Sequence, residues 1–371
     1  MSLCTLHNVY LSQDYLMKIV RLNSGLIIGG NSPIRVNCNI GCNSLSDYSQ
    51  EKEKLLSLRE EGILPDMMMD LSLVEFEKPL YLTIRDELNL PFGSVLAYHG
   101  FNRKNGLCWE NTRCYLLRLC QEGVSFITVH FTADADLFWQ AKRERKIPIT
   151  SRGGGIVLYD TNLHQRKQNI FREHIEEIID IVLKYDVAIS LGTTFRPSTV
   201  LDACDSIHIE ETKRQLELCC FLHNRGVKTI VENIGHISLD KLAQHAQLLR
   251  QFDAPIMPLG PLPTDAAINQ DHISNAIGAS VAATMGIAHI INCISRYEHS
   301  QALITLDATI EAIYSARVAA HVADLSRELP NAINKDRNVT NYRAKLHNCF
   351  ADGSICTRCS NVCPLKLFSY D

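Results

Sequence analysis

Short apolar, β-rich segments alternate with longer amphipathic segments along most of this chain, starting near residue 34. Alternating β and α units predict a parallel sheet, and so many of them favour a closed (βα)8 barrel of the TIM type, which typically takes roughly 250 residues. Nine strands are predicted for eight places, so one is an additional strand or a wrong prediction. The predicted strands are 34–40, 67–72, 94–98, 126–130, 147–151, 187–192, 229–233, 254–259 and 288–294, with helical patterns such as 171–184, 211–223 and 239–251 between them.

The 371-residue chain is longer than one barrel requires, so we expect flanking segments. We predict a lead-in over residues 1–33, a catalytic barrel over 34–328 and a C-terminal arm over 329–371. A long helical pattern over 302–327 ends the barrel and is broken near Pro330. The arm is polar and rich in asparagine, and it is too short to bury a core of its own without a metal.

Composition narrows the class of function. The chain has 46% hydrophobic residues and a formal net charge of −4, and it lacks the basic runs typical of nucleic-acid binding. No segment approaches the ~20 apolar residues of a membrane span, and the first residues lack the pattern of a signal peptide. We therefore expect a cytoplasmic protein that acts on a small molecule, without a nucleic-acid or membrane partner.

The chain contains 14 cysteines, an unusually high number. Because no secretory signal is recognised, we predict reduced thiols rather than a disulfide framework. Most lie singly in apolar runs, where cysteine usually acts as a small core hydrophobe. The cysteines predicted to be buried in this way are Cys38, Cys120, Cys219, Cys220 and Cys293.

Three further cysteines, Cys356, Cys359 and Cys363, crowd into eight residues of the tail and are followed by proline. Three thiolates at this spacing can hold an iron–sulfur cluster and leave its fourth iron free. A free iron can bind S-adenosylmethionine and cleave it reductively to a carbon radical. On spacing alone, structural zinc with Cys349 or His347 as fourth ligand is the alternative, and a tail without metal is the third possibility.

Polar residues and one glycine cluster where the predicted strands end. In a barrel of this type the carboxyl ends of the strands form the rim at which active sites are built. One polar residue at such a position can be a helix cap or a turn former, but so many at equivalent positions indicate a site. They are Asn39, Tyr98, His130, Ser151, Arg152, Gly153, Arg196, Glu232, His236 and His299.

Two groups at this rim suggest specific chemistry. The glycine-rich turn 151–155 lets backbone N–H groups approach an anion, while Arg152 and Arg196 add guanidinium groups that match phosphate or carboxylate oxygens. His236 and His299 each follow a strand, and two imidazoles at a barrel mouth form half of a first-row metal site with open positions. For this pair, surface or hydrogen-bonded core histidines are the alternative.

The order of these motifs resembles that of the phosphomethylpyrimidine synthases, which rearrange aminoimidazole ribonucleotide into the pyrimidine precursor of thiamine. The resemblance extends from about residue 26 to residue 363, and no single motif carries it. The matching motifs are Val36-Asn-Cys-Asn39-Ile-Gly41, Met69-Asp-Leu71, Ser151-Arg-Gly-Gly154, Ser190-Leu-Gly192, Arg196-Pro197, Glu232 with Gly235-His236, Leu259-Gly-Pro-Leu262 with Thr264-Asp265, Asp271-His272, Glu298-His299 and 319–325.

The resemblance implies a homodimer of barrels whose C-terminal arms reach the partner's active site. It implies S-adenosylmethionine, a 4Fe–4S cluster on Cys356, Cys359 and Cys363, and zinc or iron(II) on His236 and His299. An electron donor such as a flavodoxin or ferredoxin would reduce the cluster. Glu232 and Cys293 are expected to take part in catalysis. Residues expected to contact the nucleotide are Asn39, Met69, Tyr98, His130, Ser151, Arg152, Gly153, Arg196 and Glu232.

The chain also departs from the family pattern. Three residues rather than four separate Cys359 from Cys363, and the segment 193–195 is Thr-Thr-Phe where the family has Asp-Gly-Leu. Asn and Ile replace a Gly-Pro pair at 233–234, and Met257 stands where a tyrosine is usual. Because the metal-side residues are retained, these changes favour an altered substrate or product over lost chemistry.

We therefore predict a radical S-adenosylmethionine lyase that rearranges aminoimidazole ribonucleotide to hydroxymethylpyrimidine phosphate. The first alternative is a paralogue that converts the same or a similar imidazole nucleotide to another product, such as 5-hydroxybenzimidazole. The non-enzyme alternative is a degenerate barrel that binds zinc and a nucleotide without turnover. Retention of Glu232, His236, His299 and the three tail cysteines favours an enzyme.

Overall fold

Eight parallel strands form a nearly closed barrel in the computed structural model of this chain, which describes residues 18–349 and 356–367. Most residues of these strands are buried, as in parallel sheets covered on both faces. The strands are β1 (Ile19–Arg21), β2 (Ile27–Gly29), β3 (Arg35–Ile40), β4 (Met67–Asp70), β5 (Phe92–Val95), β6 (Phe101–Asn102), β7 (Gly106–Leu107), β8 (Phe126–Val129), β9 (Ala188–Leu191), β10 (Thr229–His236), β11 (Ile256–Leu262) and β12 (Ile290–Cys293).

The barrel has the strand order β12-β3-β4-β5-β8-β9-β10-β11. Hydrogen bonds also join the two end strands of this series: the His289 N–H donates to the Ile256 carbonyl at 2.8 Å, and the Asn292 side chain donates to the Pro258 carbonyl at 3.0 Å. The remaining strands form two small antiparallel hairpins, β1–β2 and β6–β7. The barrel predicted from the sequence is therefore confirmed.

Helices separate most of the barrel strands. In one of them, Ile175–Lys184, buried isoleucines and a valine lie at helical spacing, with two glutamates in the first turn and a lysine in the last, which complements the helix dipole. The helices are α1 (Tyr48–Glu60), α2 (Leu80–Asp86), α3 (Trp109–Gln121), α4 (Ala135–Glu144), α5 (Arg152–Leu163), α6 (Ile170–Glu173), α7 (Ile175–Lys184), α8 (Ser206–Asn224), α9 (Leu239–Leu249), α10 (Asp271–Thr284), α11 (Leu306–Ser326), α12 (Pro330–Leu346) and α13 (Pro364–Leu367).

The predicted strand at 147–151 is wrong. This segment is irregular, and β8 pairs directly with β9, which leaves it no place in the barrel. Its alternating isoleucines have the pattern typical of a strand. Ile147 is exposed, however, and Pro148 has no N–H to donate to the hydrogen bonds of a sheet. The other eight predicted strands all match barrel strands, with differences of a few residues at their ends.

The chain divides into two compact units, residues up to 323 and residues from 324 onward. In the second unit, Pro330 does not only break a helix: it occupies the first turn of α12, where its missing N–H is not needed. Of the five cysteines predicted to be buried, Cys220 is exposed on α8 and the other four are buried. Within the described residues, no helix has the length and apolarity needed to cross a membrane.

Candidate active site

A cavity of about 290 Å³ opens at the carboxyl ends of the barrel strands. All nine residues predicted to contact a nucleotide line this cavity, as do His236, His299 and Cys293. A smaller cavity of about 130 Å³ adjoins it, and Arg152 and Cys293 contribute to the walls of both. Residues from several different barrel segments are thus brought together, as expected for a site at this rim.

One wall of the cavity is the first turn of α5. The Ser151 side chain accepts a hydrogen bond from the Gly154 N–H at 3.1 Å and so caps the helix. The Arg152 guanidinium lies 5.4 Å from the Tyr98 ring centroid. The sequence indicated a glycine-rich turn at a strand end, but the structure has a helix N-terminus here, whose exposed N–H groups and dipole also favour an anion.

His130 forms the base of this wall. Nε2 of its ring lies 3.1 Å from Ser151 Oγ, while Nδ1 is buried without a hydrogen-bond partner among the described residues. Burial, with a further contribution from the charge of Arg196, lowers the pKa of His130 to about 3, so the ring is neutral at physiological pH. Buried polar atoms without a partner are rare, and this one suits contact with a bound molecule.

Gly153 of α5 is needed for close packing against this wall. A Cβ atom at Gly153 would overlap the His130 ring, whereas a Cβ at Gly155 would meet only Ile149 Cδ1, at 3.6 Å. We expect Gly153→Ala to lower the free energy of unfolding by about 1–3 kcal/mol because the substitution overpacks a buried site. Gly155→Ala is the matched control, and it should be neutral or stabilise the helix by up to about 1 kcal/mol. Urea unfolding of both variants measures the difference, and equal effects would contradict the packing argument.

Glu232 lies in the floor of the cavity, on β10. Its carboxylate is buried and accepts hydrogen bonds from Thr128 Oγ1 at 2.6 Å and Ser190 Oγ at 3.0 Å. Burial raises the pKa of Glu232, while these two donors and the charge of Arg196 oppose the shift. A carboxyl group with a raised pKa inside a polar cavity accepts and returns a proton more readily than an exposed carboxylate does.

A second buried carboxylate, Glu211 on α8, holds the loop that precedes Arg196. It accepts hydrogen bonds from Thr132 Oγ1 and Thr193 Oγ1, both at 2.8 Å. It also accepts the backbone N–H groups of Thr194 and Phe195, at 2.6 and 2.7 Å. The Glu211 carboxylate, which does not line the cavity, therefore fixes the unusual Thr-Thr-Phe segment at 193–195. The sequence did not indicate this role for Glu211.

His236 and His299 approach each other at the rim, with ring centroids 5.3 Å apart. Each ring has its Nδ1 against a carboxylate: His236 lies 2.7 Å from Asp265 Oδ1, and His299 lies 3.2 Å from Asp271 Oδ2. Burial lowers the pKa of His236, although Asp265 opposes the shift. Carboxylate–histidine pairs of this kind orient metal-binding imidazoles, with Nε2 directed to the ion. Sequence reasoning identified the histidines but gave the two aspartates no role.

Cys293 lies at the end of β12, directly opposite Cys38 on β3. Both thiols are buried, and burial raises the pKa of Cys293 well above the ordinary value, with the neighbouring Cys38 thiol adding to the shift. Cys293 is therefore a neutral thiol in the cavity wall. A neutral S–H group can give up a hydrogen atom or a proton but is a poor nucleophile.

The tail cysteines belong to the second unit. Cys356 and Cys363 are half-buried and Cys359 is exposed, and a short 3-10 turn, Ser360–Val362, lies between the last two. His347 Nδ1 lies 3.3 Å from the Leu365 carbonyl, which places the end of α12 beside this segment. Part of the arm, residues 350–355, lies outside the described residues. Three thiols on a polar turn without buried residues fit the donor set of a cluster with one open iron.

The fold and this cavity define a (βα)8-barrel protein whose site lies at the carboxyl ends of its strands, with cysteines on a separate C-terminal unit. Residues 16–351 match the model of the Radical SAM ThiC family. The chain belongs to this family and is a radical S-adenosylmethionine enzyme. The matched residues end before Cys356, so they do not include the tail cysteines.

Curated relatives agree with this assignment. The chain is 36% identical over 323 residues to the phosphomethylpyrimidine synthase of Desulforamulus reducens and 32% identical over 321 residues to that of Thermotoga petrophila. Each alignment covers 84% of this chain and 74% of the relative. Among solved structures, a dihydropteroate synthase of Xanthomonas albilineans matches at 14% identity over 80% of this chain and 96% of that chain, with a TM-score of 0.46. A similarity this low carries no inference about function.

Proposed function

We propose that this enzyme rearranges aminoimidazole ribonucleotide to hydroxymethylpyrimidine phosphate, the pyrimidine precursor of thiamine. The observation that carries the proposal is a single cavity, in a member of this family, that gathers two arginines, a buried carboxylate and three histidines. The two relatives, both named phosphomethylpyrimidine synthases, support the same reaction.

In this proposal the phosphate of the nucleotide binds at the start of α5. The N–H groups of its first turn, the Ser151 hydroxyl and the guanidinium of Arg196 form a site for an anion with several acceptor oxygens. Met69 and Tyr98 provide an apolar surface nearby for the flat imidazole ring. The unpartnered His130 Nδ1 and the Asn39 amide then supply directional hydrogen bonds to the nucleotide.

Glu232 is proposed to move protons during the rearrangement. Its side chain is held by two hydroxyl donors, so its orientation is set before the substrate binds. Cys293, a neutral thiol on β12, two strands away from Glu232 in the barrel, is placed to exchange a hydrogen atom with a substrate-derived radical. In this proposal Glu232 transfers protons and Cys293 transfers hydrogen atoms.

The tail thiols are proposed to hold a 4Fe–4S cluster, with Cys356, Cys359 and Cys363 as ligands. When bound, such a cluster supplies the electron that cleaves S-adenosylmethionine reductively, and an external reductant such as a flavodoxin or ferredoxin restores it. Structural zinc in this segment would need a fourth ligand, for which Cys349 is available in sequence. Anaerobic purification separates the two, because cluster protein is brown and zinc protein is colourless.

The histidine pair at the rim is proposed to bind zinc or iron(II). We expect His236→Ala to abolish binding of one divalent ion, and Asp265→Asn to weaken that binding by about 10–100-fold, since Asp265 orients the His236 ring. Equilibrium competition with a chelator measures the affinity, and elemental analysis measures the stoichiometry. Asp253→Asn is the control, because it removes a carboxylate from the turn before β11, at the amino end of that strand. Unchanged metal content in His236→Ala would contradict this site.

A homodimer is proposed through the face shared by α10 and α11. These helices leave Ile273, Ile277, Tyr314 and Val318 exposed along a shallow groove of about 720 Å³. The four side chains are spaced by four residues on each helix, so they form a continuous apolar stripe suited to an identical copy. The family resemblance implies the same state of assembly.

We expect Val318→Glu to convert the dimer to a monomer, because Val318 is 62% exposed in the isolated chain and a charge would be buried in the interface. Light scattering coupled to size-exclusion chromatography measures the mass in solution. Leu183→Glu, which changes an exposed apolar residue of α7, is the control and should leave the mass unchanged. A monomeric parent protein at micromolar concentration would contradict the proposed dimer.

The proposed reaction and the reaction of a paralogue differ in their products. The enzyme would be purified without oxygen, reconstituted with iron and sulfide, and incubated with S-adenosylmethionine, dithionite and aminoimidazole ribonucleotide. Formation of 5′-deoxyadenosine with hydroxymethylpyrimidine phosphate, detected by mass spectrometry, supports the proposal. Formation of 5′-deoxyadenosine with 5-hydroxybenzimidazole or another product would favour a paralogue, for which the Thr-Thr-Phe segment at 193–195 is the specific observation. If protein with a full cluster forms neither product, the proposed substrate is contradicted.

A further inference from the structure

We propose that Cys204, His208 and His245 form an additional zinc site, separate from the barrel mouth. One thiol and two imidazoles from these residues have ligand atoms that all lie within 4.8 Å of one another. No other group of three or more His, Cys, Asp or Glu residues in the described part of the chain comes together in this way. None of the three lines the mouth cavity, and nothing in the proposed rearrangement uses them.

The three ligands come from different parts of the chain. Cys204 lies in the loop between β9 and α8, His208 lies in the first turn of α8, and His245 lies on α9. Both histidines are almost fully buried, while Cys204 is half-buried. Two neutral imidazoles and a thiolate are a donor set that zinc prefers, and the partial exposure of Cys204 lets water complete a tetrahedral site.

Asn233 orients both imidazoles from behind. The Nε2 of His245 lies 2.9 Å from Asn233 Oδ1, and the Nε2 of His208 lies 3.4 Å from the same oxygen. Each Nε2 therefore donates its hydrogen to this amide oxygen, which leaves Nδ1 of each ring as the nitrogen with a lone pair for an ion. Metal-binding histidines are usually fixed in this way, with the second ring nitrogen donating to a carbonyl or carboxylate oxygen.

The position of Cys204 agrees with this arrangement. Its backbone N–H lies 3.2 Å from His208 Nδ1, so the cysteine already lies next to the nitrogen that would bind the ion, and the ion would replace this hydrogen bond. Zinc bonds of about 2.0–2.3 Å place tetrahedral ligands roughly 3.5 Å apart, so donors that lie within 4.8 Å of one another must approach by up to about 1 Å. Cys204 lies on a loop, where a shift of this size requires no change in the barrel.

A zinc ion at this position would join two segments, the loop that precedes α8 and the helix α9, next to Asn233 of β10. Asn233, which holds both rings, follows Glu232 in the same strand and also donates to Gln215 Oε1 at 2.7 Å. The Gln215 side chain in turn donates to the Glu232 carbonyl at 2.8 Å. The site is therefore structural, and it stabilises the backbone that carries Glu232 without contacting the substrate.

The test uses cobalt(II) as a spectroscopic substitute for zinc. The full-length chain, with Cys356, Cys359 and Cys363 replaced by serine to remove thiolates of the tail, is titrated with cobalt(II) after metal removal. We expect a thiolate-to-cobalt charge-transfer band and the intense visible bands of tetrahedral cobalt, and the charge-transfer band should saturate when one cobalt ion per chain occupies this site. Cobalt bound by the two imidazoles of the rim pair alone gives no such charge-transfer band, and the dependence of the band on Cys204 assigns it to the proposed site.

Cys204→Ser should remove this band, and Cys220→Ser, which changes an exposed cysteine of α8, should retain it. His245→Gln should independently remove the charge-transfer band. Circular dichroism of each variant verifies that the barrel is folded. Zinc should also raise the Tm of the parent chain more than that of Cys204→Ser, because an ion that binds only the folded state stabilises it and the histidine pair of the rim is present in both proteins. Absence of the band from the parent, or an undiminished band in Cys204→Ser, would overturn the proposal.

Discussion

Replacement of Cys356 by serine is expected to abolish turnover. A cluster with one open iron needs three thiolate ligands, and the motif at 356–363 provides three, so the loss of one leaves too few to hold the cluster. Without the cluster, S-adenosylmethionine is not cleaved, and activity should fall to the non-enzymatic background. Iron and sulfide content after anaerobic reconstitution, together with 5′-deoxyadenosine formation, measures the effect, and Cys359→Ser and Cys363→Ser should behave alike.

The matched control is Cys349→Ser, which removes an exposed cysteine of the same unit. The cluster account predicts normal iron content and activity for this variant. If the tail instead holds zinc with Cys349 as its fourth ligand, Cys349→Ser will lower the zinc content as strongly as Cys356→Ser does. Full turnover by Cys356→Ser would exclude the proposed role of these cysteines.

Glu232→Gln is expected to lower kcat by about 10²–10⁴-fold, the contribution typical of a positioned acid or base. The amide has the shape of the carboxyl group and can still accept the hydrogen bond from Thr128 or Ser190, so the barrel should remain folded. Glu217→Gln, on the exposed side of α8, is the control for a simple change of charge. Retained kcat in Glu232→Gln would show that proton transfer uses another group.

The same residue predicts a pH dependence. Because burial raises the pKa of Glu232, a step that needs its carboxylate form should slow at a higher pH than an exposed glutamate would allow. The acidic limb of the kcat profile should therefore lie above the ordinary range of glutamate, and Glu232→Gln should lack this limb. Hydrogen bonds from Thr128 and Ser190 oppose the shift, so removing Thr128 Oγ1 with Thr128→Val should move the limb to still higher pH.

Much of the barrel could be predicted from the sequence because buried parallel strands are short, almost continuous apolar runs. The strand at 229–233 was predicted correctly in position, although β10 continues to His236 with a register shift against β11. The failure at 147–151 shows the limit of the pattern. Alternating apolar residues predict a strand only where the backbone can pair, and the neighbours on both sides of this segment, β8 and β9, are already paired with each other.

The site was predictable where its residues follow strands, and it was missed where they do not. Asp265 lies beyond the end of β11 and Asp271 begins α10, yet both meet histidines from other segments. Glu211 lies inside an amphipathic helix, where a charged residue is usually expected to face solvent. Cys204 and His208 lie close together in sequence, but His245 is distant from both, and only the packing of α8 against β10 and α9 brings it to them.

The central claim is that a radical generated in this enzyme abstracts hydrogen from aminoimidazole ribonucleotide bound in the barrel mouth. The most direct measurement is the mass of the 5′-deoxyadenosine formed when the ribose of the substrate is deuterated. We expect the product to carry deuterium from the substrate, and the amount formed to require added nucleotide. Deuterium-free 5′-deoxyadenosine, formed equally with and without the nucleotide by protein with a full cluster, would contradict the account.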